Sequence, residues 1–476
     1  MDQNARPNSE ISIQRNHGGH ILIVSYPLQG HATPLIKMAN RLCQFGVKVT
    51  FLTTEFTLAK MASSSMPAGS EDEGIDRIRL ASVPDGLEPD DDRKDQEKLA
   101  ASIHKEMPGY LEDFIKKANN SKNKDDKVTG VIIDSPLTFV LEIPQTMGIK
   151  CATYWCSTPG CLVLGLHLQK LLEDDVIDAN DGTPLKDEKI SLLPNMPAMS
   201  PSEFTWCFPG DLSVQKSMFH FFQIVVSNMF SKSDLIICNW FNDLDPSTSS
   251  LDPNFLPVGP ILNVEGQSVG SFVSEDSRCI TWLDKQPPGS VIYVAFGSTS
   301  RFSQEQINEI ALGLELVNRP FLWVAWSGLI RDGVSSLTFP DGFIDRVANR
   351  GKIVEWAPQE RVLAHPSIAC FISHCGWGST MESVSMGVPL LCWPYFGDQL
   401  YTQMCICESW KVGLWLNAKE NGIISGNEIK LKVETLLSDT SIRSNALKLK
   451  EKARKSMNEG GSSVKNLEYL VSQMKH

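Results

Sequence analysis

Residues 356–399 read WAPQERVLAHPSIACFISHCGWGSTMESVSMGVPLLCWPYFGDQ, and this stretch decides the fold. Within it, Ile368–Ser373 is an apolar run of the kind that forms a buried strand. A tight turn of small residues begins at His374, and a helical pattern then continues to about Met386. The first N–H groups of a helix lack partners and lie at the positive end of its dipole, so they attract anions. The stretch therefore predicts a strand, a turn and a helix with an anion-binding pocket at the turn.

Side chains that suit a nucleotide sugar surround this pocket. His374 and Ser379 add hydrogen-bond donors at the turn, and Glu382, one turn further along the helix, can accept from sugar hydroxyls. Trp356 offers an aromatic surface before the strand, and the Asp-Gln pair at 398–399 offers two side chains that bind polyols. An aromatic surface, an anion pocket and hydroxyl acceptors together predict a nucleotide-sugar site.

Strands and helices alternate along most of the chain. Apolar strands are predicted at His20–Tyr26, Val47–Thr54, Val128–Asp134 and Lys150–Trp155, and the pattern restarts at Val291–Phe296 after a segment with proline and glycine. Such alternation is typical of a parallel, doubly wound sheet. Because the pattern restarts, we expect an α/β fold with two such units.

Several polar residues directly follow predicted strands. Ligands of open α/β sheets bind at the carboxyl ends of the strands, so these residues are expected to converge. The residues in such positions are His31, Asp134, Ser298 and His374. The helix after the first strand is predicted to have Thr33 as its N-cap and Pro34 at its first position, which leaves His31 in a loop.

Composition and charge narrow the class of protein. The chain of 476 residues is 42% hydrophobic and 21% charged, values that are typical of globular proteins. Its net charge of −12 argues against nucleic acid and anionic membranes as partners. Residues 1–19 do not resemble a signal peptide, and no apolar stretch approaches the ~20 residues that span a bilayer. The 12 cysteines include no CxxC pair, so we expect reduced thiols in a cytoplasmic protein without integral membrane association.

The stretch 356–399 resembles the signature box of the plant family 1 UDP-glycosyltransferases, which also runs from Trp to Gln. The motifs that carry the resemblance are WAPQ, VLAHPS, FISHCGW and GVP. Tyr26–Leu42 (YPLQGHATPLIKMANRL) is similar to the family's acceptor-side loop and first helix. Trp282–Ser298 (WLDKQPPGSVIYVAFGS) is similar to the start of the family's second domain. The resemblance covers roughly residues 20 to 470.

This resemblance implies the GT-B fold, in which two Rossmann-like domains face a cleft. We expect a disordered tail at 1–19, an acceptor-binding domain at 20–255, a linker at 256–280 and a donor-binding domain at 281–457. The last segment, 458–476, is expected to form a helix that returns to the first domain. We expect the protein to act as a monomer.

The resemblance also implies an inverting transfer by single displacement, with UDP-glucose as the donor and no metal or other cofactor. His31 and Asp134 match the family's catalytic base and the acid that orients it. Histidine titrates near neutral pH and can take a proton from an acceptor hydroxyl, while a buried carboxylate fixes its tautomer. Without the motif, a histidine after a strand is more often structural.

Donor-binding roles follow residue by residue from the same resemblance. Trp356 is expected to stack on uracil, and Ala357 and Gln359 to bind its polar edge. Glu382 is expected to hold the ribose, and the pair Asp398 and Gln399 to hold the transferred sugar. The residues expected at the pyrophosphate are Ser298, His374, Gly376, Trp377, Gly378 and Ser379.

Two positions depart from the family pattern. The family usually reads HCGWNS, but this chain has Gly378 in place of the asparagine, which removes a donor to the phosphates. Losing such a hydrogen bond to a charged group costs ~1.5–3 kcal/mol unless another group replaces it. The family commonly places serine or threonine where this chain has Cys156, a weak hydrogen-bonding group that we do not include among the donor-binding residues.

The acceptor is less well defined by the sequence. The first-domain loops expected to bind it are rich in aromatic and apolar residues, so a flavonoid or phenylpropanoid phenol is favoured. A terpenoid or steroid acceptor, or another UDP-sugar, stays open, and the aromatic residues fit an ordinary core equally well. The residues expected at the acceptor are Tyr26, Gln29, Ser135, Trp155, Trp206 and Tyr395.

Other classes of function are weaker matches. A nicotinamide-dependent oxidoreductase is disfavoured because no GxGxxG follows a predicted strand. Asp90–Asp92 contains a DxD pattern that metal-dependent glycosyltransferases of another fold use, but it lies in a charged loop. A catalytically impaired UDP-sugar-binding protein is the remaining alternative, and the presence of both His31 and Asp134 argues against it.

Overall fold

A computed structural model describes residues 18–64, 78–93, 95–194, 196–208, 210–244, 254–263, 275–330 and 337–475. Most of the predicted tail at 1–19 lies outside the described residues. Within the predicted linker at 256–280, residues 264–274 also lie outside them.

The first half of the chain forms a parallel sheet of seven strands in the order β3-β2-β1-β4-β5-β6-β7. Apolar residues bury most of these strands on both faces, which suits a sheet that is covered by helices on each side. The strands are β1 (His20–Val24), β2 (Lys48–Thr54), β3 (Ile78–Val83), β4 (Gly130–Asp134), β5 (Lys150–Trp155), β6 (Leu235–Cys238) and β7 (Phe255–Pro257). The helices are α1 (Gln29–Cys43), α2 (Glu55–Ser64), α3 (Gln96–Asn119), α4 (Glu142–Thr146), α5 (Pro159–Leu166), α6 (Leu168–Glu173) and α7 (Leu212–Lys232).

The second half forms a parallel sheet of six strands in the order β10-β9-β8-β11-β12-β13. Its strands are β8 (Val291–Ala295), β9 (Phe321–Val324), β10 (Gly351–Val354), β11 (Ile368–Ser373), β12 (Leu390–Cys392) and β13 (Gly413–Trp415). Its helices are α8 (Arg278–Leu283), α9 (Gln304–Val317), α10 (Phe343–Val347), α11 (Gln359–Leu363), α12 (Trp377–Met386), α13 (Asp398–Met404), α14 (Gly426–Ser438) and α15 (Thr440–Met457). The prediction of two doubly wound α/β units is confirmed.

The last helix, α16 (Ser462–Met474), packs against the first sheet rather than the second. Gly130 at the start of β4 leaves no room for a side chain, because a Cβ there would lie 2.3 Å from the sulfur of Met474. The chain therefore crosses back to the first half at its carboxyl end.

Two predicted boundaries are wrong. Helix α1 begins at Gln29, not after Thr33, so Pro34 lies inside the helix and costs it the backbone hydrogen bond to the carbonyl of Gly30. As a result, His31 belongs to the first turn of a helix rather than to a loop. Pro257 still belongs to the first sheet, so the connection between the halves starts two residues later than predicted.

The described residues bear on the membrane and disulfide predictions. None of the helices among them is long and apolar enough to cross a bilayer. All 12 cysteines are described, and none forms a disulfide.

Candidate active site

The predicted base and its orienting acid are in contact. Strands β1 and β4 are neighbours, so the helix that follows β1 brings His31 over the end of β4. The Nδ1 atom of His31 lies 3.1 Å from both carboxylate oxygens of Asp134. A carboxylate only accepts hydrogen bonds, so Nδ1 carries the proton and Nε2 has the lone pair. The backbone N–H of Tyr26 donates to Oδ2 of Asp134 at 3.0 Å and fixes the carboxylate.

Burial and charge act in opposite directions on His31. Asp134 is fully buried, whereas the His31 side chain is 21% exposed. Burial lowers the pKa of His31, but the carboxylate of Asp134 and, after it, the neighbouring Cys156 outweigh burial and hold that pKa well above the ordinary value of 6.5. The imidazole therefore takes a proton more readily than a free histidine does.

The predicted strand, turn and helix form at β11 and α12, with His374 in the turn between them. His374 fits between two glycines, since a Cβ on Gly297 or Gly376 would lie 2.6 or 2.3 Å from its Nε2 atom. Burial lowers the pKa of His374 to about 4, so the ring is neutral at physiological pH. His374 can therefore offer one N–H to a phosphate but no positive charge.

A hydrogen-bond network fixes the side chains behind this pocket. The Nε2 group of Gln359 donates to Ser379 and to Oε2 of Glu382, both at 2.8 Å. Its Oε1 atom accepts from the hydroxyl of Tyr293 at 3.1 Å. These bonds use both donors of the Gln359 amide, so only the second lone pair of Oε1 remains for the uracil edge. Gln359 also orients Ser379 and Glu382, while the half-buried Trp356 and the backbone of Ala357 lie where β10 leads into α11.

A buried lysine connects the two halves beside Glu382. Lys37 lies on α1, six positions after His31, and its ammonium group donates to Oε1 of Glu382 at 2.8 Å and also to Glu360. The second oxygen of Glu360 accepts from the backbone N–H of Asn263 at 2.9 Å. Burial lowers the pKa of Lys37, but the two carboxylates outweigh it and raise that pKa above its ordinary value. The helix that carries His31 is thus tied to the carboxylate expected to hold the ribose.

The end of the signature box also contacts the first half. The hydroxyl of Ser157 donates to Asp398 at 2.7 Å. Burial raises the pKa of Asp398, although Ser157 and the charge of His31 lower it. The side-chain oxygen Oε1 of Gln399 accepts from the backbone N–H groups of Tyr395 and Phe396 at 2.8 and 3.2 Å, which leaves the side-chain NH₂ group for a sugar hydroxyl.

Other residues expected at the pyrophosphate differ in their exposure. Gly378 is exposed, and a Cβ there would have no atom within 4 Å apart from its own helix and chain neighbours. The indole of Trp377 is buried and donates to the carbonyl of Asn239 at 3.0 Å, so only its backbone is available to an anion. Ser298 follows β8, where its carbonyl accepts from Arg301 at 3.3 Å.

Two predicted acceptor residues are wrong. Trp206 is fully buried among Phe204, Phe219 and Phe222, and its indole N–H donates to the carbonyl of Gly182 at 3.0 Å. It is a core residue and offers no surface to a ligand.

Trp155 is also buried in the core, and its indole donates to the carbonyl of Thr158 at 3.0 Å. Both tryptophans follow the ordinary rule that a buried indole has its N–H satisfied. The other expected acceptor residues are placed around the base: Tyr26 lies edge-on to His31 with 5.6 Å between the ring centres, Gln29 begins α1, and Ser135 follows Asp134. Tyr395 lies in the second half, against Phe302 and Phe396.

Sequence reasoning did not identify Lys37 or Arg301. Lys37 and Arg301 are single cations with no distinctive spacing. Phe208 packs against Phe396 across the two halves, with 6.1 Å between the ring centres. The position of Lys37 on the same helix as His31 was the one available signal, and it needed the arrangement of the two halves to be meaningful.

Comparison with known proteins agrees with the fold. Residues 257–457 match the family described as "UDP-glucoronosyl and UDP-glucosyl transferase". The chain is 36% identical to UDP-glycosyltransferase 83A1 of Arabidopsis thaliana, over 96% of this chain and 97% of the relative. It is 31% identical to gallate 1-beta-glucosyltransferase 84A24 of Punica granatum, over 96% of this chain and 89% of the relative.

A solved structure, that of UGT2 from Phytolacca americana complexed with UDP-2-fluoro-glucose and pterostilbene, superimposes with a TM-score of 0.77. The two are 29% identical, and the match covers 97% of this chain and 100% of the other. Fold and site together define a GT-B glycosyltransferase. The chain belongs to the plant family 1 UDP-glycosyltransferases.

Proposed function

We propose that this enzyme transfers glucose from UDP-glucose to a hydroxyl of a small lipophilic acceptor, with inversion to a β-O-glucoside. The observation that carries the proposal is the contact of His31 with buried Asp134, which leaves Nε2 of His31 free to accept a proton. The influence of His31 on the pKa of Asp398 supports a position for this imidazole near the sugar end of the donor.

In the proposed reaction, Nε2 of His31 takes the proton of the acceptor hydroxyl as its oxygen attacks the anomeric carbon. The bond between that carbon and the β-phosphate oxygen breaks, and UDP leaves with the electron pair. The N–H groups at the start of α12 and the N–H of His374 stabilise the charge that develops on the diphosphate. Asp134 stabilises the imidazolium that forms on His31.

Glucose and a phenolic acceptor are the favoured substrates. Asp398 and the NH₂ group of Gln399 suit the hydroxyls of a hexose, and in the family a glutamine at this last position goes with glucose more than with galactose. The relatives act on different acceptors, as the names gallate 1-beta-glucosyltransferase and limonoid UDP-glucosyltransferase indicate. A flavonoid or phenylpropanoid phenol stays our first choice, and a terpenoid or steroid the second.

We further propose that the reaction needs no metal or other cofactor and that the enzyme acts as a cytoplasmic monomer. The helix N-terminus and His374 supply the hydrogen bonds that a metal ion would otherwise provide to the diphosphate. Both halves of the site belong to one chain. Cysteines without disulfides support a reducing compartment.

Transfer assays with matched histidine variants test the proposal. The wild type is incubated with EDTA, a panel of phenolic and terpenoid acceptors, and either UDP-glucose, UDP-galactose or UDP-xylose. His31→Ala is expected to lower kcat by about 10²–10⁴-fold without changing UDP affinity. His365→Ala is the control, because His365 also contacts an aspartate, Asp284 at 3.2 Å, but at the opposite end of β11. Equal loss of activity in both variants, or no transfer by the wild type to any acceptor, would contradict the proposal.

A further inference from the structure

A thiol lies beside the predicted catalytic pair. Cys156 follows β5, which is the neighbour of β4, so it reaches the same edge of the sheet as Asp134. One ligand atom each from His31, Asp134 and Cys156 lie within 4.8 Å of one another. Cys156 is half-buried, so the group can be reached from the cleft.

We propose that His31, Asp134 and Cys156 form a binding site for a zinc-like divalent cation, and that an ion bound there inhibits the transferase. Imidazole nitrogen, thiolate sulfur and carboxylate oxygen are the three ligand types of protein zinc sites. Three protein ligands with one open position are typical of accessible zinc sites, where water fills the fourth place. A harder ion such as Mg²⁺ prefers six oxygen ligands, so it does not suit this group.

The neighbours of these three side chains already orient them. The N–H of Tyr26 donates to Oδ2 of Asp134, while Oδ1 lies 3.1 Å from Nδ1 of His31, so a metal ion that replaces the Nδ1 proton can bind both atoms. The hydroxyl of Ser135 lies 3.4 Å from the sulfur of Cys156. Such outer contacts fix the direction of metal ligands and typically change metal affinity about 10–100-fold when they are removed.

Metal binding and proton transfer exclude each other at this site. An ion held by both His31 and Asp134 must take the place of the proton on Nδ1, the atom that faces the carboxylate. The neutral imidazole then carries its N–H on Nε2 and has no lone pair left to accept the proton of an acceptor hydroxyl. Binding also replaces the thiol proton of Cys156, which is released to solvent. Inhibition rests on the proposed role of His31 as the base, but metal binding itself does not.

Cobalt titration of the full chain tests binding without an activity assay. Co²⁺ is added to EDTA-treated, desalted enzyme, and the thiolate-to-cobalt charge-transfer band and the visible tetrahedral bands are recorded, followed by displacement with Zn²⁺. The wild type is expected to bind one Co²⁺ with these features. Because even outer contacts are worth about 10-fold or more, Cys156→Ser and His31→Ala should each weaken binding at least that much. Circular dichroism checks that both variants are folded.

Cys407→Ser is the matched control. Cys407 is the other half-buried cysteine, and its sulfur lies 3.8 Å from that of Cys392, so it is the main alternative site for a soft metal. This variant should keep the full charge-transfer band. An unchanged band in Cys156→Ser, or its loss in Cys407→Ser, would overturn the proposed site.

Inhibition is measured separately with UDP-glucose and an acceptor that the wild type uses. Zn²⁺ should inhibit the wild type, and EDTA should reverse this inhibition. The Cys156→Ser variant should need at least about 10-fold more Zn²⁺ for the same inhibition. Equal sensitivity of the two enzymes would overturn the inhibitory role. A wild type that binds Co²⁺ but transfers no sugar would instead contradict the proposed function and leave the metal site supported.

Discussion

The donor half and the acceptor half of the cleft are built in different ways. On the donor side, the turn between β11 and α12 offers backbone N–H groups, and side chains such as Gln359 and Glu382 already hold one another. On the acceptor side, the pair of His31 and Asp134 is equally fixed, but most of the surrounding aromatic side chains pack into the core. In the proposed function, the diphosphate that every reaction shares binds at strand ends and helix starts, whereas the variable acceptor binds at loops.

This difference explains how far the sequence could be interpreted. The signature box predicted strand β11 with its observed bounds, and helix α12 with its observed end at Met386, because periodicity and turn residues are local signals. The pairing of His31 with Asp134 was expected from the family resemblance, and the structure shows that the two side chains touch. By contrast, Trp155 and Trp206 were misassigned, because an aromatic residue at a strand end or in a loop has the same sequence pattern whether it packs inward or faces a ligand.

Other features needed three-dimensional structure. The sequence places Gln359 close to Trp356, but it does not reveal the hydrogen-bond partners of the Gln359 amide. These partners, Tyr293, Ser379 and Glu382, come from different elements. The start of α1 was misplaced because Pro34 usually marks the first turn of a helix. Lys37 gave no local signal, since its two carboxylate partners lie in the other half of the chain.

Removing the carboxylate that orients His31 on the acceptor side should give the largest effect on activity. Asp134→Asn removes the carboxylate that orients and stabilises the imidazolium, so kcat should fall about 10²–10⁴-fold. In the wild type, activity should fall as the pH drops through the raised pKa of His31, because the protonated ring cannot accept a proton. Without the carboxylate, burial lowers that pKa, so the acid limb of the pH–rate profile should move to lower pH. A limb that stays in place or moves upward would contradict the account.

Removing the ion pairs of Lys37 between the two halves should have the next largest effect on activity. Lys37→Met leaves Glu360 and Glu382 buried together without a cation, a loss of about 1.5–3 kcal/mol per charged hydrogen bond. We therefore expect KM for UDP-glucose to rise roughly 10–100-fold, with partial rescue by Lys37→Arg.

Lys48→Met is the control for this experiment. Lys48 also forms an ion pair with a carboxylate, that of Asp126 at 2.5 Å, but at a partly exposed site away from the cleft. It should leave KM unchanged. Similar KM values for Lys37→Met and the wild type would show that the bridge does not support donor binding.

Strengthening the donor half should have a smaller effect. Gly378→Asn restores the side chain that the family usually has, at a position with open space around the Cβ. One more hydrogen bond to the charged diphosphate should lower KM for UDP-glucose by about 10-fold. No improvement in steady-state kinetics would mean that a neighbour already supplies the missing bond.

The smallest effect on activity is expected at Trp206. Trp206→Phe removes the indole N–H bond to Gly182 and some core volume, so the free energy of unfolding should fall by about 1–3 kcal/mol. KM for the acceptor should not change. Chemical denaturation measures the stability, and steady-state kinetics with varied acceptor measures KM. A changed KM for the acceptor with unchanged stability would show that Trp206 does contact the acceptor.

The central claim is that a diphosphate binds at the turn between β11 and α12. Two glycine-to-alanine variants test it by calorimetric titration with UDP, each with its Tm measured. Gly376→Ala places a Cβ 2.3 Å from Nε2 of His374 and should abolish measurable binding. Gly378→Ala, two positions further on, meets open space and should bind UDP as the wild type does. Equal UDP affinity in the two folded variants would contradict the claim.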